Sequence, residues 1–246
     1  MEPSLIIMYI LIGLITGFYG GMFGAGGASI RVPLLTMTGM PLVNAFATNI
    51  FAIPFSSISG AYTQRHNIEW KTAKTFVIGG IFGIIIATFF VGIISEKILA
   101  IIFFLIAVMT VFALYLDIIS PRLYNKIRPV PSNLFFGSFF ISLIMGMEGG
   151  SGGSIFAAFL RAMHIRTHSA IAISLFAGIF TSTAALLIYL YRGEVFFSPA
   201  LIVAFVGMVG SYAGSKVSMR TDSKLLKLGL SIIVIVLAST VIMKYF

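Results

Sequence analysis

Cysteine is absent from the 246-residue chain, which excludes disulfide bonds, thiolate metal sites and cysteine nucleophiles. Charged residues are scarce as well, at 9% of the sequence, whereas hydrophobic residues make up 59%. A soluble domain needs much more polar surface than this, because most residues of a small globule contact water. The composition therefore predicts an integral membrane protein that lies in a lipid bilayer.

A nucleotide-binding loop of the form G-x-x-x-x-G-K-[ST] is also missing. A transport function would then need an ion gradient, the substrate's own gradient or a separate energising subunit. No Lys or Arg precedes the first apolar run, so we expect that run to be a retained helix rather than a signal peptide. The net charge of +9 lies in short clusters between apolar runs, which is typical of membrane topology and not of nucleic-acid binding.

Apolar runs of about 20 residues recur along the chain, each long enough to cross a hydrocarbon core about 30 Å thick. They predict an all-α fold, a polytopic integral membrane helical bundle. Gly13 and Gly17 in the first run have the spacing that lets a neighbouring helix approach closely.

Two glycine-rich stretches interrupt the runs, one from Gly20 to Leu35 and a near-copy from Gly146 to Leu160. Unwound backbone is tolerated at membrane depth only where it is buried in protein or lines a wet cavity. The apolar segment after each glycine cluster has about ten residues, too short to cross the bilayer upright at about 1.5 Å per residue. We therefore predict a glycine loop within each stretch, followed by a re-entrant or half helix.

The second half of the chain repeats the first. By residue identity, Gly24, Gly26 and Gly27 align with Gly150, Gly152 and Gly153. Internal repeats are common in secondary transporters. We predict a single membrane domain that consists of a first repeat (1–118), a cytoplasmic linker (119–131) and a second repeat (132–246).

The distribution of Lys and Arg favours one relation between the repeats. If each glycine loop lay within a single spanning helix, the repeats would be parallel and the basic loop residues would divide almost evenly between the two sides. If the chain reverses at each loop, the repeats are inverted and most basic residues share the side of the linker. The positive-inside rule favours inverted repeats in the cytoplasmic membrane, with both termini outside.

The glycine loops predict an anion site. Glycine leaves the backbone accessible, and the start of the following helix offers N–H groups and the positive end of its dipole. The predicted substrate-binding residues are Gly24, Gly26, Gly27, Arg31, Thr48, Asn49, Gly150, Ser151, Gly152, Gly153 and Ser174. For Thr48, Asn49 and Ser174, hydrogen bonding between helices is the alternative interpretation.

Two charged residues lie well inside apolar sequence, Arg31 and Glu148. Such residues usually face a cavity or a partner, because a charge at the bilayer centre is costly. Arg31 either neutralises an anionic substrate or extends to the cytoplasmic surface. Glu148 either couples proton movement to transport or is a hydrated carboxylate at an outer vestibule.

The second loop also matches G-x-S-x-G through Ser151, the pattern of a serine hydrolase. That chemistry needs a histidine near the serine, and the topology places His66, His164 and His168 at the opposite surface. His164 and His168 have metal-pair spacing, but no carboxylate lies near them in the sequence. We predict no enzyme activity, no metal and no cofactor.

The chain resembles the TauE/SafE family of membrane transporters, also described as sulfite exporters or four-toluene-sulfonate uptake permeases. The resemblance rests on the duplicated halves, the glycine cluster followed by Pro33-Leu34-Leu35, and the segments N-I-E-W-K and G-E-V-F-F. The family's first loop typically reads G-x-G-G-G, and here Ala28 and Ser154 replace the last glycine of each loop. The resemblance implies movement of small sulfur-containing anions such as sulfite, sulfoacetate or other organosulfonates.

The sequence as a whole predicts a secondary active transporter for a small anion, with proton coupling through Glu148 as a hypothesis. An anion channel and an intramembrane serine hydrolase are the alternatives. Substrate, direction of transport and assembly into a homo-oligomer stay open.

Overall fold

The computed structural model describes residues 2–24, 27–91, 95, 97–98, 101, 104–105, 108, 111–112, 115–124, 127–147 and 149–245. The main helices of the first half are α1 (Pro3–Phe23), α2 (Ala28–Met37), α3 (Leu42–Thr63) and α4 (Trp70–Phe90), with a 3₁₀ turn at Arg65–Asn67. Two short helices follow, α5 (Leu116–Ile119) and α6 (Pro121–Tyr124). The second half contains α7 (Pro131–Met147), α8 (Gly153–Ala162), α9 (Thr167–Tyr191), α10 (Phe197–Arg220) and α11 (Ser223–Tyr245). Much of the apolar run at residues 98–116 lies outside the described residues.

The predicted all-α membrane fold is confirmed. Five of the described helices are long and apolar enough to cross a bilayer, namely α1, α3, α4, α9 and α10. Large apolar side chains such as Phe89, Leu187 and Val209 stay exposed on their outer faces. Exposed apolar side chains on this scale are expected of a surface that lipid covers.

The chain reverses direction at the first glycine loop. A Cβ atom added to Gly27 would lie 2.8 Å from the carbonyl oxygen of Thr16, and the Tyr9 hydroxyl lies 3.3 Å from Thr38 Oγ1. The ten-residue helix α2 therefore runs back along α1. In the second half, Gly137 of α7 packs against the ring of Phe159 in the ten-residue α8, so the chain reverses there as well.

The most extensive helix contacts join the two halves. Helix α1 of the first half packs on α10 of the second, and α4 of the first half packs on α7 of the second. Both crossings are built on glycine. Gly210 of α10 faces the carbonyl of Leu14, and Gly83 of α4 faces the carbonyl of Phe139. Gly17, predicted as a packing residue, lies against the backbone of Gly207. Small residues let helix backbones approach in a membrane, where apolar side chains alone give little preference for protein over lipid.

Helices α3 and α9 lie together at the centre and run antiparallel. Asn44 Nδ2, near the start of α3, donates to the carbonyl of Glu194, just beyond the end of α9, at 2.8 Å. Further along, a Cβ atom on Gly178 would lie 3.7 Å from Ser57 Cβ. Each of these helices follows the glycine loop and short helix of its own half, so equivalent elements meet in opposite directions.

Candidate functional site

The glycine loops are turns that only glycine forms without strain. Gly24 and Gly27 have φ angles of 71° and 76°, and Gly149 and Gly152 have φ angles of 70° and 86°. L-residues with a side chain rarely adopt this left-handed region. By conformation, Gly24 therefore corresponds to Gly149 and Gly27 to Gly152. This register differs by one residue from the identity-based alignment of Gly24 with Gly150.

Two reciprocal contacts bring the loops together. Ser174 Oγ, on α9, donates to the carbonyl of Gly24 at 2.6 Å and to that of Gly153 at 3.1 Å. Asn49 Nδ2, on α3, donates to the carbonyl of Gly149 at 2.8 Å. In the conformational register Asn49 and Ser174 are equivalent positions. Each half therefore holds the glycine loop of the other half through the same position.

Arg31 lies in the first turns of α2 and has no exposed surface at all. Its Nε donates to Thr16 Oγ1 at 2.9 Å, and its Nη1 donates to Asn49 Oδ1 at 3.1 Å. Both acceptors are uncharged oxygens. The remaining nitrogen, Nη2, is buried and has no hydrogen-bond partner among the described residues. The side chain therefore does not extend to the membrane surface, and within the described residues its Nη2 donates to no acceptor.

The neighbours of Arg31 lie well inside helices that are long enough to span a bilayer. Thr16 and Asn49 lie well inside the spanning helices α1 and α3. A Cβ atom on Gly207, close to the midpoint of α10, would lie 3.8 Å from Arg31 Nη2. A buried charge in such a place is costly unless a partner or a ligand compensates it.

The position equivalent to Arg31 in the second half holds Phe156. This ring is fully buried and packs edge-on against Phe76, with ring centroids 4.7 Å apart. The site is therefore asymmetric, with a cation on the side of α2 and an aromatic wall on the side of α8.

Other predicted site residues lie apart from Arg31 or outside the described residues. Thr48 Oγ1 donates to Met40 Sδ at 3.5 Å, at the junction of α2 and α3. The backbone N–H of Gly150 donates to the carbonyl of Met145 at 2.8 Å and closes the second loop. Gly26 and Glu148 fall on residues that the structure does not describe.

Ser151 is buried, and its carbonyl accepts a hydrogen bond from Thr181 Oγ1 at 3.3 Å. Its hydroxyl has no hydrogen-bond partner within the described part of the chain. Two of the three histidines bond elsewhere, since His164 Nε2 lies 2.8 Å from the carbonyl of Tyr124 and His168 Nε2 lies 3.2 Å from that of Ser218. The arrangement does not pair either of these histidines with the serine.

Sequence reasoning missed Thr16 and Gly207. Thr16 is a polar side chain within an otherwise apolar run, and that contrast was an available signal. Gly207 offers no such signal, because its role depends on α10 of the second half packing against α1 and α3, where the Arg31 side chain reaches it.

Comparison with known proteins finds one family and several membrane transporters that are similar to the chain. The family described as sulfite exporter TauE/SafE matches residues 9–241. A probable membrane transporter protein of Haemophilus influenzae is 26% identical, over 98% of this chain and 99% of its own length. A probable membrane transporter protein of Methanocaldococcus jannaschii is 27% identical, over 92% and 91% of the two chains. No solved structure matches the chain at a significant level. With a family match over nearly its whole length, the chain belongs to the sulfite exporter TauE/SafE family and is a multi-pass membrane transporter.

Proposed function

We propose that the protein is a secondary active transporter that moves a small anion through a site centred on Arg31. The observation that carries the proposal is the buried guanidinium, whose bonds to Thr16 and Asn49 leave its charge uncompensated and its Nη2 unused within the described residues. An oxyanion that accepts from Nη2 would form a charge-assisted hydrogen bond, which is stronger than a neutral one.

The glycine loops add neutral donors to this site. Gly27 and Gly152 are the residues before α2 and α8, and without side chains they cannot cap these helices. The first N–H groups of a helix have no partner within it, and the helix dipole favours negative charge there. The N-terminus of α2 lies directly before Arg31, so the two attractions act on the same ligand.

The family supports a sulfur-containing substrate. Its members are described as sulfite exporters, and sulfite, sulfoacetate and other organosulfonates present several oxygen atoms on one charged group. Such a group can accept from the guanidinium and from backbone N–H groups at the same time. We carry this substrate class to the present chain as a proposal.

Alternating access would come from two inverted repeats, divided at a linker of residues 119–131. The antiparallel pairing of α3 and α9 supports this relation, as do the reciprocal bonds of Asn49 and Ser174 to the opposite loops. In such a protein one repeat rocks against the other about the central site. We further propose that the protein lies in the cytoplasmic membrane with both termini outside, and that Glu148 is the proton-coupling residue.

The alternatives explain the geometry less well. A channel needs a continuous path, whereas Arg31 is fully buried. A serine hydrolase needs a base next to Ser151, and His164 and His168 bond to other residues. Saturable exchange would support the carrier, and ion currents far above carrier turnover would support the channel.

A binding screen of the purified protein tests the proposal. Sulfite, thiosulfate, sulfonates and small carboxylates are added in turn, and the thermal midpoint Tm is measured for the wild type and for Arg31→Met. We expect at least one anion to raise the Tm of the wild type in a saturable way and to leave that of Arg31→Met unchanged. Arg65→Gln, which changes an exposed arginine, is the control and should respond like the wild type. An equal response of Arg31→Met would refute the site.

A further inference from the structure

One face of α10 carries four small residues that lead away from Arg31. Gly207, Ser211, Ser215 and Ser218 are spaced by three or four positions, so they share a side of the helix. The three serines have no exposed surface. We call this row the serine face.

The serine face connects the centre of the protein to its surface. At one end Gly207 adjoins Arg31 Nη2. At the other end the carbonyl of Ser218 lies 3.2 Å from His168 Nε2, and Ser223 next to it is exposed. The row is about 16 Å long at 1.5 Å per residue, roughly half the thickness of a hydrocarbon core.

Polar groups of α1 and α3 line the opposite side of the row. Ser211 Oγ donates to the carbonyl of Ser56 at 2.6 Å, and Ser215 Oγ donates to that of Gly21 at 3.0 Å. Gln64 Nε2 also donates to the carbonyl of Gly21, at 3.2 Å. Three helices therefore present hydrogen-bonding groups to one buried line.

Two groups of this row lack a partner among the described residues. Ser218 Oγ and Gln64 Oε1 are buried without a hydrogen bond in the part of the chain that the structure describes. Close helix packing requires small residues but not hydroxyls or amides, and an unmet buried polar atom costs free energy. Packing alone therefore does not account for the row.

The equivalent face of α4 differs. Gly83 and Gly210 occupy matching places in the two crossings. In this alignment Ile84 of α4 is equivalent to Ser211 of α10, and Thr88 is equivalent to Ser215. Thr88 Oγ1 donates to the carbonyl of Ile84, at 2.7 Å within its own helix. Of these two described faces, the one on α10 carries a continuous row of serines and the one on α4 does not.

We infer that the serine face is the path along which the anion passes between Arg31 and the membrane surface beside His168. This inference rests on the proposed function and deepens it. In the state described here the hydroxyls of Ser211 and Ser215 donate to carbonyls of α3 and α1. When those helices separate from α10, the hydroxyls turn to the anion and replace part of its water shell.

The surface end of the path has the charge that such a path needs. Arg166, Arg220 and Lys224 are exposed and lie within a few residues of His168 or Ser218 in the sequence, together with the acidic Asp222. An excess of positive charge at a mouth raises the local concentration of anions.

The absence of cysteine allows a direct test with single-cysteine variants of the full-length protein. Ser211→Cys and Ser215→Cys are treated in sealed membrane vesicles with an impermeant anionic methanethiosulfonate and with its cationic counterpart. Ser223→Cys, at the exposed end, reports which vesicle side is probed. Val209→Cys, on the lipid-facing side of α10 and 63% exposed, and Thr88→Cys are the controls.

We expect both path variants to react only from the side on which Ser223→Cys reacts. They should react about tenfold or more faster with the anionic reagent than with the cationic one, as expected for a positively charged mouth. Val209→Cys and Thr88→Cys should stay unreactive from that side. Path variants that react no faster than these controls, or equally with both reagents, would overturn the inference.

The failure of the path and the failure of the site give different results. If Ser215→Cys is unreactive while Arg31→Met abolishes anion binding, the path is wrong and the site stands. If Ser215→Cys reacts as expected while Arg31→Met binds anions normally, the path stands and the site is wrong.

Discussion

At the scale of single residues, Asn49 has two contacts at the centre of the molecule. Its amide oxygen accepts from Arg31, and its amide nitrogen donates to the carbonyl of Gly149. An amide can accept and donate at once, whereas an ionised aspartate can only accept. Asparagine therefore orients the guanidinium without neutralising its charge.

Asn49→Asp should weaken anion binding. A carboxylate about as close to Arg31 as the amide oxygen would take the place of the ligand as the counter-charge. We expect the Kd of the anion found in the binding screen to rise at least tenfold, which corresponds to about 1.4 kcal/mol.

Asn49→Leu is the control for this prediction. Like Asn49→Asp it loses the donation to the Gly149 carbonyl, and it also loses the acceptor for Arg31 Nη1, but it adds no charge. Kd is measured by calorimetric titration of the purified variants. Binding to Asn49→Asp that equals binding to Asn49→Leu would show that the charge of Arg31 does not hold the anion.

At the scale of elements, the reversal at each glycine loop places every other part of the site. Because α2 runs back along α1, Arg31 reaches Thr16, and because α3 follows, it also reaches Asn49. The turn itself depends on Gly27, whose φ angle is 76° and whose missing side chain leaves room for the Thr16 carbonyl.

Gly27→Ala should therefore destabilise the protein more than a glycine substitution elsewhere in the same backbone region. The left-handed conformation costs an L-residue about 1–2 kcal/mol. At Gly27 the new Cβ would also lie 2.8 Å from the Thr16 carbonyl.

Gly39 provides the control, since its φ angle is 86° and an added Cβ would have no described neighbour within 4 Å. Gly39→Ala incurs only the conformational cost. We expect the Tm of Gly27→Ala to be clearly below that of Gly39→Ala in detergent, and equal values would contradict the close approach of α2 to α1.

At the scale of the whole molecule, the sequence predicted the helical membrane fold, the two loops and the short helix after each of them. These features follow from local composition. The alignment of the two loops could not be predicted from composition. Residue identity pairs Gly24 with Gly150, whereas backbone conformation pairs Gly24 with Gly149. The preference for Asn49 over Thr48 as the partner of Arg31 was also not predictable. It depends on which side of α3 faces α2, and tertiary packing decides that.

The antiparallel packing of α3 on α9 predicts a cross-link between the halves. A Cβ atom on Gly178 would lie 3.7 Å from Ser57 Cβ, a separation typical of disulfides. The double variant Ser57→Cys with Gly178→Cys should oxidise to one intramolecular disulfide, detected by mass spectrometry of the intact protein.

Each single variant is the control, and neither should form an intramolecular bond. If the halves rock against each other, the oxidised double variant should lose transport and recover it on reduction. Full transport in the oxidised form would contradict movement between α3 and α9.

The central claim is that an anion is carried through the site at Arg31, and counterflow in proteoliposomes tests it most directly. Vesicles containing the purified protein are loaded with the anion that raises the Tm most and diluted into a trace of the same anion in labelled form. We predict transient accumulation of label that saturates with concentration in the wild type and is absent in Arg31→Met. Accumulation in Arg31→Met equal to that of the wild type would contradict the account.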